Sequence, residues 1–346
     1  MTTAYSGDGI TFPDSTVQAT APRVGMVNRV INSDMRIDQR NGGASVTQNV
    51  SGTQFSVDRW KVYGNVSAKF TAQQNAGSVA PPAGYTNYLG LTSLSAYTVA
   101  ATDEFITTQP IEGLNVSDLG WGTSSAATVT LSFQVYSSLT GTFGGSVRNS
   151  AYDRSFPFSY SIPTANTWTT ISINITGDTA GTWLTNNGTG INLSFSLGAG
   201  TSRSGTAGAW VSASLVSATG ATSVVGTSGA TWYVTGVQLE KGSTATDFEY
   251  VDYSRQLIQC QRYYETFARC GFIGNGGGGG LIGTYVFYSV VKRAVPTLIL
   301  GAINENVNIS AASLSPVTAD GFRFYAALSA AGNGYLDRNV SASAEL

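Results

Sequence analysis

Apolar residues recur at every second position through much of this chain, and that spacing constrains its fold more than any other feature. In "ATVTLSFQVYS" (Ala127 to Ser137), Val129, Leu131, Phe133 and Val135 share one face, opposite Thr128, Thr130, Ser132 and Gln134. Ile171, Ile173 and Ile175 repeat the arrangement in "TTISINIT", and Ile191, Leu193, Phe195 and Leu197 repeat it in "INLSFSLG". A strand with one apolar face and one hydroxyl or amide face packs on one side and is wetted on the other, as in an antiparallel sheet. Two such sheets bury their apolar sides against each other. The expected fold is therefore all-β, antiparallel sheets in a sandwich or jelly roll.

Segments rich in Gly, Asn, Asp and Thr (140–145, 176–181 and 185–190) read as turns between these strands. The last strand of the region is expected in "TWYVTGVQLE", with Val237 and Leu239 packed and Gln238 and Glu240 on the polar face. It closes the first large domain, placed at residues 25–252. Helical periodicity is convincing only in "DYSRQLIQCQRYY", where Asp252 or Ser254 can cap and Leu257, Cys260 and Tyr264 share a face. This short connecting helix opens a smaller β domain, residues 253–346, with strands expected in "TYVFYSVV", "PTLILGAI" and "FRFYAALSA". A unit of that size gains from burial against neighbouring copies. Residues 1–24 carry only Ile10, Phe12 and Val17 as substantial apolar side chains, too few to offset the cost of ordering the segment. That piece is expected to bind a partner.

Composition excludes several classes of function. Only 11% of the residues are charged, where roughly a quarter is usual, and 41 glycines with many Ser, Thr and Asn take their place. The net charge is -2 and no segment gathers Lys and Arg, so neither nucleic-acid binding nor attraction to anionic membranes is expected. No stretch approaches the ~18 apolar residues of a membrane span, so membrane insertion is not expected. "MTTAYSGDGI" lacks a basic region followed by an apolar run, so Sec-dependent export is not expected either. The chain has no histidine, which removes Ser-His-Asp and Cys-His catalysis and His-ligated zinc. Its two cysteines, Cys260 and Cys270, are expected to be reduced and partly buried, since disulfide scaffolds are dense in cysteine.

Several blocks resemble the tail-fibre and receptor-binding proteins of tailed bacteriophages. "GITFPDSTVQATA" is similar to their short TFPDGT-type N-terminal peptide. "NRVINSDMRIDQRNGGASVT", "FSVDRWKVY", the long block from Gln109 to Ser150 and "GVQLEKGSTATDFEY" resemble their jelly-roll domain, which is like a carbohydrate-binding module. "CQRYYE", the glycine run, "KRAVPT" and "ASAEL" resemble their distal C-terminal domain. The chain departs from the pattern at Ser15, where the family has Gly. In the family the peptide ends a longer shaft, whereas here it lies close to Met1, which implies a short fibre docking directly on the virion.

The resemblance implies a virion-located, non-enzymatic fibre, a homotrimer joined to the tail, baseplate or capsid through Ile10, Phe12, Pro13 and Val17. Its distal domains would adhere to host surface polysaccharide, and multivalency would supply avidity. A fibre meets its receptor with the end opposite its attachment, which favours Asn275, Asn333 and Tyr335 as receptor-binding residues. A capsid-attached head fibre, a purely structural virion protein and a glycan depolymerase are the alternatives.

Glycoside hydrolysis needs two carboxyls flanking a bond, and Asp103, Glu104, Glu112, Glu240 and Glu249 are the acids that offer them. No cofactor is expected. Calcium is the one ion that oxygen ligands leave open; "NSDMRIDQRN" offers Asp34 and Asp38 but lacks the D-x-D-x-D-G pattern. Sugar binding needs an exposed aromatic plane, yet Trp60, Trp121, Trp168, Trp183, Trp210 and Trp232 all lie in or beside expected strands and read mostly as packing. The glycine run 276–280 lacks the Lys-Ser/Thr of a phosphate cradle and reads as a hairpin tip or a close backbone approach. Charges crowd at the joint, where Arg255, Arg262 and Glu265 are expected to form ion pairs between domains or between chains.

Overall fold

The computed structural model describes residues 26–346 except Thr53, together with the backbone of three short strands nearer the N-terminus. These are β1 (Ala4–Ser6), β2 (Gly9–Thr11) and β3 (Val17–Gln18), paired antiparallel in that order. Among the expected docking residues, Ile10 falls in β2 opposite Gln18, and Val17 in β3 opposite Thr11. Phe12 and Pro13, like Ser15, lie outside the described residues.

The sandwich opens with β4 (Val46–Thr47), β5 (Gln54–Phe55), β6 (Lys61–Gly64) and β7 (Phe70–Gln74). Then come β8 (Leu89–Ser93), β9 (Glu104–Glu112), β10 (Val129–Ser137), β11 (Gly141–Arg148) and β12 (Ser155–Ile162). β13 (Thr169–Ile175), β14 (Thr189–Ala199), the two-residue strands β15 (Ser204–Gly205) and β16 (Ser217–Ala218), and β17 (Thr231–Lys241) complete it. One six-stranded sheet has the order β13-β10-β17-β8-β7-β4, the other β12-β11-β14-β9-β6-β5. Every neighbouring pair in both sheets is antiparallel. Between them Trp60, Phe105, Phe133, Phe143, Phe158, Phe195 and Trp232 form a continuous core. The fold is all-β, an antiparallel jelly-roll sandwich followed by a smaller β unit, with one short helix between them.

The alternating residues behave as their spacing implies on the inner faces: Val129, Leu131, Phe133 and Val135 of β10, and Ile191, Leu193, Phe195 and Leu197 of β14, are all buried. The outer faces differ. On the edge strand β13, Thr170, Ser172 and Asn174 are exposed, as expected. On β14, Asn192, Ser194 and Ser196 are buried, so the expectation of one wet face fails there. β14 is central in its sheet, and a later segment folds across it. Gln238 and Glu240 of β17 are likewise buried, beneath residues 243–251: Gln238 bonds the Asp247 carbonyl at 3.2 Å and Glu240 accepts from Thr246 at 2.7 Å.

A bulge explains how β17 keeps its core face. Ser132 pairs with Gln238 but Gln134 with Thr235, so β17 spends one extra residue across that step. Gly236 takes it up at φ +61, a left-handed conformation that favours glycine. The phase therefore shifts, and Trp232 and Val234 before it, with Val237 and Leu239 after it, all face inward with no exposure.

Helix α1 (Tyr253–Gln261) is capped by Asp252, whose carboxylate accepts the Arg255 N–H at 2.9 Å. Tyr264, expected on the helix, instead opens a strand; Tyr263 is the tyrosine that packs with Cys260. The C-terminal unit contains β18 (Tyr264–Gly276), β19 (Leu281–Phe287), β20 (Thr297–Val307), β21 (Ile309–Val317), β22 (Gly321–Leu328) and β23 (Gly332–Ser343). Its sheets, β18-β23-β20 and β19-β22-β21, enclose Phe272, Phe322, Phe324, Leu328 and Leu336. Residues 277–280 of the glycine run carry the chain from one sheet to the other, with the Gly279 N–H bonded to the Leu328 carbonyl at 2.8 Å. The strand expected over 284–291 starts three residues earlier and stops at Phe287. Both cysteines are buried and unpaired.

Candidate functional site

The outer face of the second sheet carries a cleft. It is built from positions out of phase with the core: Lys61 and Tyr63 beside inward Val62, Glu104 and Ile106 beside Phe105, Arg148 beside Val147, and Asn192 beside Leu193. The segment from Arg203 to Ala218 folds over this face, with β15 and β16 paired in parallel. Ser155 exchanges two backbone hydrogen bonds with Val211, and its hydroxyl donates to the Ala213 carbonyl at 2.7 Å. Between this flap and the loops carrying Gly52 and Tyr152 a space of about 330 Å³ remains. That is the size of a site for one small ligand or a short oligomer.

Its floor is polar. Thr108 donates to the Leu193 carbonyl at 2.9 Å, and Ser194 donates to the Thr108 hydroxyl at 2.9 Å. Arg148 rises from this floor and is only 5% exposed. Its guanidinium carbon lies 4.6 Å from the Tyr152 ring centre, Nη2 reaches Ser194 Oγ at 3.4 Å, and Nε has no hydrogen-bond partner. Burial lowers the Arg148 pKa from its usual value, with Tyr152 and Glu104 pulling the other way. Glu104 Oε2 sits 3.6 Å from Arg203 Nε. At the other end, burial and the neighbouring Arg59, Arg293 and Arg40 push the Lys61 ammonium down to about 8, and Lys61 donates to the main-chain oxygen of Leu346. Tyr152 is 45% exposed and Tyr63 half-buried, which leaves two aromatic side chains at the mouth.

The acids singled out for hydrolysis are dispersed. Asp103 accepts from Tyr97 and from the Ala100 N–H. Glu112 accepts from Arg262 and Tyr263, and Glu249 from the Asn28 N–H at 2.6 Å. Among the described residues, Glu104 is the one carboxylate lining the cleft. Asp34 pairs with Arg36 at 2.6 Å, while Asp38 accepts the N–H groups of Asn41 and Gly43. Among the described residues no group of three His, Cys, Asp or Glu gathers as a metal site, and no helix is long and apolar enough to cross a membrane.

Trp60 and Trp232 are core residues. Trp121, Trp183 and Trp210 form an edge-to-face triad, with centroids 4.8 to 5.3 Å apart, and Trp168 packs on Tyr88 and Tyr136. Asn275 and Asn333 are exposed and face each other across β18 and β23, joined by a 2.7 Å hydrogen bond, with Tyr335 opposite Ile273. At the joint, Arg262 pairs with Glu112 and Glu265 with Lys292, both at 2.6 Å within one chain; Arg255 is exposed at the helix start. Arg148, Tyr63 and Tyr152 carry no sequence signal strong enough to single them out. Arg148 does occupy the polar phase of an alternating strand, two residues after Ser146, which is the one pointer available.

No protein-family model matches the chain, and no curated protein matches it. The solved structures to which it is similar include the enzymatically active domain of tailspike protein 4 of bacteriophage CBA120, at 13% identity and a TM-score of 0.33. That match covers 62% of this chain and 22% of the other, so the chain spans about a fifth of the tailspike domain's length. Another is the family 11 carbohydrate-binding module of Clostridium thermocellum in complex with a β-1,3-1,4-mixed-linked tetrasaccharide, at 14% identity and a TM-score of 0.29. It covers 58% of this chain and 98% of the module. Likenesses this slight carry no argument about fold or activity.

Proposed function

We propose that the chain is a glycan-binding fibre protein of a bacteriophage particle that holds surface polysaccharide without cutting it. The cleft on the outer face of the β9–β14 sheet carries this reading: aromatic side chains at its mouth suit sugar CH faces, and Asn192, Thr108 and Arg148 below suit hydroxyls. A single carboxylate in the cleft among the described residues supports retention over hydrolysis, which uses two. The resemblance of the N-terminal peptide, the jelly roll and the C-terminal blocks supports placement on a virion, docked through the first residues to tail, baseplate or capsid. Exposed Ile273, Leu281, Phe287, Ile299 and Ile303 on the C-terminal unit suit association of three copies. A trimer would present three clefts, so avidity could be high with modest single-site affinity.

The test is binding of purified full-length protein to host surface polysaccharide, with reducing ends assayed in parallel. Retention without release of reducing ends is expected. Failure of the folded protein to bind any polysaccharide would sink the adhesive reading, and steady release would replace it with an enzyme. Sedimentation of the same sample checks the trimer.

A further inference from the structure

Resting on the glycan-binding reading, we infer that the cleft selects an acidic sugar, one whose carboxylate is held by Arg148. The cleft contains three cationic side chains, and two are already engaged: Arg203 lies beside Glu104 and Lys61 donates to the Leu346 main-chain oxygen. Arg148 is different. It is 5% exposed, and among the described residues its one hydrogen bond is the 3.4 Å contact to Ser194 Oγ and no acidic side chain pairs with it.

Glu104 attracts the guanidinium only from beyond ion-pair distance. A buried guanidinium with no acid in contact is costly to the free protein, so its place at the floor of an open cleft points to a charge that arrives with the ligand. The planar fork of arginine matches a carboxylate with two parallel hydrogen bonds. Tyr152, stacked on the guanidinium, covers one of its faces and leaves its edge as the route of approach.

The experiment is calorimetric titration of the full-length protein with uronic-acid and sialic-acid oligosaccharides, their carboxyl-reduced counterparts, and sulfated oligosaccharides of the same length. A carboxylated member is expected to bind about 30-fold or more tightly than its reduced counterpart. Arg148→Gln should erase that difference while leaving the thermal midpoint of the free protein unchanged or higher, because it removes a buried charge that no acid contacts. Arg148→Lys keeps the charge without the fork and should recover part of the preference. Equal affinity for a carboxylated sugar and its reduced partner would overturn the inference and leave the glycan cleft standing. A preference for sulfated sugars, or an unaltered preference in both variants, overturns it too. No binding by any member removes the inference together with the function on which it rests.

Discussion

Arg262 and Glu112 form a two-pronged ion pair, Nη2 to Oε1 at 2.6 Å and Nε to Oε2 at 2.9 Å, that ties the residue after α1 to the last position of β9. The Tyr263 hydroxyl donates to the same carboxylate at 2.5 Å. Burial pushes the Glu112 carboxyl up, but these hydrogen bonds outweigh it and hold its pKa below the usual range. Removing one partner of a buried pair leaves the other uncompensated. Arg262→Ala is therefore expected to lower stability by about 3 kcal/mol, read by denaturant unfolding. A midpoint equal to that of the wild type would show that the pair contributes nothing to the joint.

Asp58 gives the pH dependence. It is 1% exposed, accepts hydrogen bonds from Gln39, and lies 3.8 Å from Arg40. Burial pushes its carboxyl up to about 6, against the opposing pull of Arg40. Between the ordinary carboxylate value and 6 the folded chain holds a proton that the unfolded chain has released, so stability rises as the pH falls through that window. The rise from this group is about 3 kcal/mol between roughly pH 7 and pH 4. Asp58→Asn should remove it, and parallel pH–stability curves for the two proteins would contradict the assignment.

Gly236 sets the phase of β17. A Cβ there would force the left-handed backbone on an L side chain and meet the Tyr85 hydroxyl at 2.5 Å. Gly236→Ala is expected to cost about 2 kcal/mol from the backbone alone, and thermal unfolding would report it. A variant with unchanged stability would mean that the bulge can slide to another residue.

Tyr152 separates binding from folding. At 45% exposure it contributes little to the core, yet it stands over Arg148 at the cleft mouth. Tyr152→Ala should weaken polysaccharide binding about tenfold, roughly one aromatic contact's worth, with stability within about 0.5 kcal/mol of the wild type. A loss of stability without loss of binding would place the glycan elsewhere.

The sandwich is legible in the sequence because an alternating strand records which side chains face the core, and Val129 to Val135 and Ile191 to Leu197 record it in both sheets. The joint is legible as a place, since charge concentrates there in a chain otherwise poor in it. Its pairings are not, because Glu112 lies 150 residues from Arg262 and nothing local connects them. The expectation for Tyr264 fails for a related reason: the i+7 position continues a helical stripe only if the helix continues, and α1 stops at Gln261.

The amino-acid sequence by itself determined the fold class, the place of the short helix and the absence of histidine, since each depends on residue type or local spacing; between Asp252 and Ser254 as its cap the structure chose Asp252. Tertiary structure alone decided that Ser194 and Ser196 would be buried, that Glu104 would be, among the described residues, the lone acid lining a cleft, and that Arg148 would be buried there with no acid in ion-pair contact. Burial is a property of what a distant segment covers. A polar strand face reads the same in sequence whether water or residues 203–218 lie on it, and here that difference separates a solvated surface from a walled cleft.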